Sequence, residues 1–180
     1  MFARTERLTL RPGWPEDAEA LHSAIAHRAV VEKLARVPWP YTIDHARDWL
    51  GRPAATMPVL TIHAHDLGPG PQLVGGIGLH PEEDGLNLGY WLTPAAWGRG
   101  YATEAGRQVV AMARHALGQT RLAAYHHADN PASGGVLRKL GFRETGRGWR
   151  PSLARGGEVE SVLMTLDLAG EDRPAVQQAA

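Results

Sequence analysis

A single α/β (α+β) domain, a mixed sheet with helices on its faces, is predicted by three observations on the 180-residue sequence. Period-two apolar alternation and 3.6-residue apolar spacing succeed one another in the order β-α-α-β-β-β-α-β-α-β-β, and such elements bury their apolar faces by layering. No internal repeat and no linker interrupts this order, so residues 1–168 read as one domain. There is no cysteine, and a chain of this size needs no disulfide, because roughly 70% of the unfolded surface can be buried.

The elements follow in turn. Residues 5–11 alternate, with Leu8 and Leu10 inward, as a first strand. Pro15, Glu16 and Asp17 open a helix, since proline suits a first turn and acids complement the positive end of its dipole. Leu21, Ala24 and Ile25 form its apolar face, and Pro38-Trp39-Pro40-Tyr41 stops it. Thr42 is placed to cap a short helix over 43–50. Residues 59–65 make a second strand with Leu60, Ile62 and Ala64 on one side, and 67–71 a turn. The third strand, 73–79, carries Gly75, Gly76 and Gly78, which mark a bulge or a close backbone approach.

A turn is expected over 81–85, then a fourth strand over 86–93. Alternation puts Leu86, Leu88, Tyr90 and Leu92 on one face and Asn87, Gly89, Trp91 and Thr93 on the other. A helix over 103–117 presents Ala105, Val109, Met112, Ala113 and Ala116, and ends at Gly118. Residues 121–127 form a fifth strand. Asp129-Asn130-Pro131 opens a helix that runs to Leu140 and stops at Gly141, and strands over 142–149 and 158–168 close the domain. Residues 169–180 read as a disordered tail.

Composition narrows the function. Lys plus Arg and Asp plus Glu number 19 each, so the formal charge is zero and nothing calls for nucleic acid or an anionic membrane as partner. No stretch reaches the roughly 20 apolar residues of a bilayer span. Residues 1–12 carry Arg4, Glu6, Arg7 and Arg11 where a signal peptide needs an apolar run, so a cytoplasmic location is expected. A cysteine nucleophile or cysteine metal site is ruled out, and no metal is expected.

The stretch with chemistry in it lies between the fourth strand and the next helix. Gly98 and Gly100 let backbone N–H groups converge where the helix begins. The first N–H groups of a helix have no partner within it, the dipole makes that end positive, and Arg99 adds a full charge. A diphosphate uses such a site best. The Walker pattern is missing, as is the third glycine of a dinucleotide fingerprint, since Thr103 stands there.

The string Trp97-Gly98-Arg99-Gly100-Tyr101-Ala102 matches Gln/Arg-x-x-Gly-x-Gly/Ala except at its first position. Together with Gly89-Tyr90-Trp91-Leu92 before it, Asn130-Pro131-Ala132-Ser133 and Leu140-Gly141-Phe142, it resembles the GNAT superfamily of N-acetyltransferases. The resemblance covers about residues 5–168 and is strongest to the ribosomal-protein N-terminal acetyltransferase branch. It implies a mostly antiparallel sheet whose fourth and fifth strands splay apart, and acetyl-coenzyme A (acetyl-CoA) as cofactor. By that resemblance the backbone of Leu92 and Thr93 pairs with the pantetheine arm. The turn at Trp97, Gly98, Arg99, Gly100, Tyr101, Ala102 and Thr103 holds the pyrophosphate, and Asn130 bonds the pantetheine.

The resemblance also implies direct attack by a primary amine, which needs a proton donor for the thiolate and a base for the amine. The tyrosine that many relatives use as donor is replaced by Leu137, so Ser133 is the candidate, with capping of its helix as its other possible role. The branch's glutamate on the fourth strand is Asn87 here, and an amide cannot accept the amine's proton. His126 or His127, at the end of the fifth strand, could take that role, with smaller claims for His63, His65 and His80. Trp39, Tyr41 and Trp91 are expected to wall the acceptor site. The acceptor is a protein N-terminal α-amine or a small-molecule amine, and the protein a monomer or homodimer. Asn87 and Leu137 keep open a competing reading, a coenzyme A-binding module with weak catalysis.

Overall fold

The computed structural model describes residues 1–53, 56–82 and 85–169. The predicted tail therefore lies outside the described residues, apart from Ala169, as does the centre of the predicted turn over 81–85. Eight strands form one sheet: β1 (Ala3–Arg4), β2 (Leu8–Arg11), β3 (Val59–Ala64), β4 (Gln72–Glu82), β5 (Gly85–Leu92), β6 (Arg121–His127), β7 (Arg143–Ser152) and β8 (Gly157–Asp167). Their spatial order is β1-β2-β3-β4-β5-β6-β8-β7. Because β1 precedes the expected strands, the fourth and fifth strands of the sequence reading are β5 and β6.

Every neighbouring pair is antiparallel except β5 and β6. These two run parallel, and among the described residues their ladder is reduced to one bridge, Asn87 opposite Ala123. Beyond it the strands part, and the opening is lined by the remainder of each. The sheet is thus mostly antiparallel with splayed central strands, as the resemblance implied.

Helices cover both faces. Pro15–Asp17 forms a 3-10 turn, followed by α1 (Ala18–Ile25), α2 (Arg28–Val31) and α3 (Ile43–Leu50). The first helix is shorter than the proline stop suggested. It breaks at Ala26, and the break turns Val30 and Val31 into a small cluster with Ile25, while Ala18 and Leu21 pack with Ala46 and Leu50 of α3. Thr42 caps α3 as expected, its hydroxyl accepting from the His45 N–H at 3.4 Å.

On the other face lie α4 (Tyr101–Ala111), whose end widens into a π turn over Met112–Ala116, and α5 (Pro131–Lys139). Gly118 and Gly141 stop these helices with φ of +61° and +93°. Their apolar faces, Ala105, Val109, Leu137 and Leu140 among them, pack on Leu8, Leu10, Leu60, Ile62, Leu79, Leu88 and Leu122 as the main core. The alternation expected on the fourth strand holds: Leu88 belongs to this core, whereas Trp91 packs with the α1 and α3 clusters.

Candidate active site

The turn between β5 and α4 is built by two left-handed residues. Gly98 has φ +73° and Gly100 φ +82°, values at which any side chain would be strained. A methyl group on Gly98 would meet nothing within 4 Å, so the turn's outer surface is open. Gly100 is the N-cap of α4, and as a glycine it offers no side chain to the first N–H groups. The amides at Tyr101, Ala102 and Thr103 are left for an outside acceptor. Each side chain around them is committed elsewhere. Tyr101 is fully buried and donates to Asp66 at 2.5 Å, and Trp97 donates its indole N–H to the Leu92 carbonyl at 2.9 Å. Arg99 donates to the Ala95 carbonyl at 3.3 Å.

A clamp that the sequence reading missed holds this turn from below. Glu104, one turn into α4, receives Thr5 Oγ1 at 2.6 Å, the Arg7 amide at 2.9 Å and the Arg7 guanidinium at 2.7 and 2.9 Å. The same guanidinium donates to the Arg99 carbonyl at 3.0 Å and lies over the Tyr101 ring. Burial opposes ionisation of Glu104, but hydrogen bonds from Thr5 and Arg7 outweigh it and hold its carboxyl below the usual range. Beside the clamp lies a cavity of about 520 Å³ lined by Glu6, Arg7, Gly100, Thr103, Glu104, Arg107 and Lys139. Three of these seven are cations, which suits the phosphate-rich end of a nucleotide cofactor. Nothing in local periodicity links Arg7 to Glu104, because the contact joins the segment before β2 to α4.

From the turn, the α4 and α5 face leads to the opening. The Thr93 amide donates to the Val74 carbonyl at 2.8 Å, and its carbonyl accepts from Ala96 at 3.0 Å, so both backbone groups are spent inside the protein. Alternation along the strand turns the Leu92 groups away from β4: its carbonyl already accepts from the Trp97 indole, and its amide is turned toward the opening. Asn130 is the N-cap of α5, its side-chain oxygen facing the Ser133 amide at 3.4 Å. Capping is therefore done by Asn130, and the Ser133 hydroxyl is spared for another partner. That partner is Tyr90: its oxygen lies 2.7 Å from Ser133 Oγ and donates to the Ser133 carbonyl at 3.0 Å. Burial pushes the Tyr90 phenol up to about 12, so it stays neutral and keeps its proton. Leu137, where relatives carry a tyrosine, is buried in the core.

The remaining candidates fall on two faces. Asn87, 4% exposed, shares a face with Ala123, its partner across the bridge, and with Trp91. His126 lies on the opposite face, toward α5. Its Nδ1 is 2.9 Å from the His127 carbonyl, and its Nε2 is 2.6 Å from where a methyl on Gly134 would sit. His127 points the other way; its ring is fully buried and burial lowers its pKa. Tyr41 packs beside Trp91 and stacks on His22, while Trp39 is 41% exposed. Of the residues expected to wall the acceptor site, Tyr41 and Trp91 therefore gather on the α1 and α3 face, and Ser133, Asn130 and the turn lie on the other.

A bare helix start on a sheet whose two parallel central strands part is an arrangement suited to an acyl-coenzyme A-binding transferase. Residues 7–143 match the acetyltransferase (GNAT) domain family, and the chain belongs to that family. The uncharacterised N-acetyltransferase YoaA of Bacillus subtilis (strain 168) is 36% identical over 78 residues. That match covers 42% of this chain and 44% of YoaA, less than half of the relative's length. Among solved structures, a GNAT-family acetyltransferase from Bacillus anthracis superposes with a TM-score of 0.79 at 22% identity, covering 93% of this chain and 99% of that one. RimL, a ribosomal L7/L12 α-N-protein acetyltransferase in complex with coenzyme A, gives 0.75 at 16% identity, covering 95% and 100%. The chain is therefore an acetyltransferase (GNAT) domain.

Proposed function

We propose that this protein acetylates a primary amine, either a protein N-terminal α-amine or a small-molecule amine, by direct attack of the amine on the thioester. The observation that carries this reading is the two-sided opening between β5 and β6, with a hydroxyl pair on one side and the aromatic wall on the other. Acetyl-CoA supplies an activated acetyl group and a thiol leaving group. The residues from Trp97 to Thr103 hold its pyrophosphate on bare amides, and Leu92 lends its backbone to the pantetheine. Asn130 keeps an amide nitrogen for the same arm. Ser133 Oγ–H hydrogen-bonds the sulfur as negative charge grows there, and Tyr90, 2.7 Å from Ser133 Oγ, holds that hydroxyl in place once its proton turns from the Ser133 carbonyl to Oγ. With Ser133, Asn87 sits beside the reacting carbon as a polar wall rather than a base.

The likeness to RimL supports an α-amine acceptor. The experiment is coenzyme A release from acetyl-CoA with three acceptors: a peptide with an N-terminal serine, the same peptide with its α-amine blocked, and spermidine. Turnover confined to the free α-amine peptide is expected. Turnover with spermidine alone would move the acceptor to the small-molecule class, and none with any amine, despite tight binding of acetyl-CoA, would favour the coenzyme A-binding module.

A further inference from the structure

The amine needs a base, and Asn87 cannot be one. Directly across the β4–β5 ladder from Asn87 stands His80. Directly opposed residues project to the same face of a sheet, so His80 shares the face of Asn87 and Trp91. The next opposed pair along that face is Gly78 with Gly89, and the one after it Gly76 with Trp91. A methyl on Gly78 would lie 3.2 Å from His80 Nε2, and one on Gly89 would lie 3.5 Å from Cδ2 and 3.8 Å from Nε2. The imidazole therefore leans over the two bare glycines, away from Asn87 and toward Trp91 and the end of β5 where the strands part. The indole of Trp91 lies over Gly76 in the same way, 2.7 Å from where its methyl would be. The glycines of this ladder make the floor of a shallow trough, and the two rings lie in it side by side.

We propose that His80 is the general base of acetyl transfer, taking the place that Asn87 leaves empty. The assignment rests on the direct attack described above. The amine nitrogen bonds to the thioester carbonyl carbon, the carbon–sulfur bond breaks, and its electron pair leaves on sulfur. The proton that the nitrogen sheds passes to His80 Nε2 and from there to water, and the thiolate takes up a proton from water. Amine and thioester become amide and thiol with nothing else consumed. Burial, aided by the Arg36 guanidinium, lowers the pKa of His80, so the imidazole is neutral and basic at pH 7. The charged groups on its surroundings are Arg36, from the segment after α2, and Glu82, two residues along β4 on the same face. They pair with each other at 3.3 Å. His126 is excluded from this role by its face, since it looks toward α5 and not toward the acceptor wall.

The test compares the wild-type protein with His80→Gln and His80→Ala, using acetyl-CoA and the N-terminal seryl peptide. The expected result is a loss of about 100-fold or more in kcat, with the affinity for coenzyme A by calorimetry unchanged within threefold. In the wild type, kcat should fall on the acid side below pH 6.5; in His80→Gln that limb should vanish, and added imidazole should restore part of the rate to His80→Ala. An NMR titration gives a second reading that needs no acceptor. The His80 ring proton, assigned by its loss in His80→Gln, should titrate below 6.5 and shift on saturation with acetyl-CoA. A His80→Gln enzyme within threefold of wild type with its acid limb intact, or a ring signal indifferent to acetyl-CoA, overturns the assignment while leaving acetyl transfer standing. A wild-type protein that turns over no amine overturns the direct-attack reading, and this one with it.

Discussion

Ser133 occupies the first turn of α5 yet does not cap it, because Asn130 already faces that amide. One residue thus serves the helix and the other is free for the proposed role at the sulfur, and the Tyr90 phenol, 2.7 Å away, keeps the serine in place. Ser133→Ala is expected to lower kcat by about 10- to 100-fold with the acetyl-CoA KM changed little, as befits a contact strongest when the sulfur carries charge. Tyr90→Phe should reproduce a smaller part of that loss, and steady-state kinetics on both variants and the double variant would show whether they act through one hydroxyl. Tyr90 also makes a prediction about stability. Its pKa is raised by burial, so below pH 10 both folded and unfolded protein hold the neutral phenol and nothing is lost. Between pH 10 and about 12 only the unfolded chain ionises, and stability falls by about 2 kcal/mol. Urea unfolding at pH 9 and pH 11 should show this drop in the wild type and less of it in Tyr90→Phe.

At the scale of elements, the start of α4 depends on a strand far away in sequence. Arg7 of the segment before β2 ties Glu104 of α4 to the carbonyl of Arg99 in the turn. Charge-assisted bonds of this kind are worth about 1.5–3 kcal/mol each when partly buried, and here they also set the aim of the helix's free amides. Arg7→Met should raise the acetyl-CoA KM about tenfold, the effect of about 1.4 kcal/mol of misplaced turn, with a smaller change in kcat. Equilibrium binding of coenzyme A would register the same loss. The pKa of Glu104 is depressed in the fold, so its contribution is present above its ordinary value of 4.5 and fades as the pH drops through the folded value. Acid unfolding monitored by circular dichroism should therefore start at higher pH in the wild type, which loses this contribution, than in a Glu104→Gln variant compared at equal neutral stability.

At the scale of the molecule, the sheet is a partition. One face carries α4, α5, the bare turn and Ser133, the proposed cofactor side, and the other carries α1, α3, Tyr41, Trp91 and His80, the proposed acceptor side. Among the described residues the two faces meet where β5 and β6 part, so in the proposed reading two ligands would approach one another from opposite sides. A cofactor bound to the folded state alone should stabilise the whole domain by about 2.7 kcal/mol at a hundredfold excess over Kd. For a domain of this length that is a thermal shift of about 5–10 °C, measurable by scanning fluorimetry with acetyl-CoA. The shift should shrink as salt is added, because charge holds the phosphates. Among the described residues no helix is long and apolar enough to cross a membrane.

The main order of elements, the two-faced pattern of the fourth strand, the helix stops at Gly118 and Gly141 and the glycine turn at Gly98 and Gly100 were all legible in the chain, because each is written in neighbours a few residues apart. So was the family, carried by the strings around Tyr90, Gly100 and Asn130. The short first helix could not be read off, since Val30 and Val31 are drawn aside by a cluster formed only after folding. Nor could the Arg7–Glu104 clamp, which joins residues 97 apart, or the meeting of Tyr90 with Ser133, 43 apart. His80 looked like one histidine among nine until strand register set it opposite Asn87. Local propensity and periodicity specify which surfaces a segment offers. Only the closing of the sheet decides which of those surfaces face one another, and the chemistry of this protein lies in those facings.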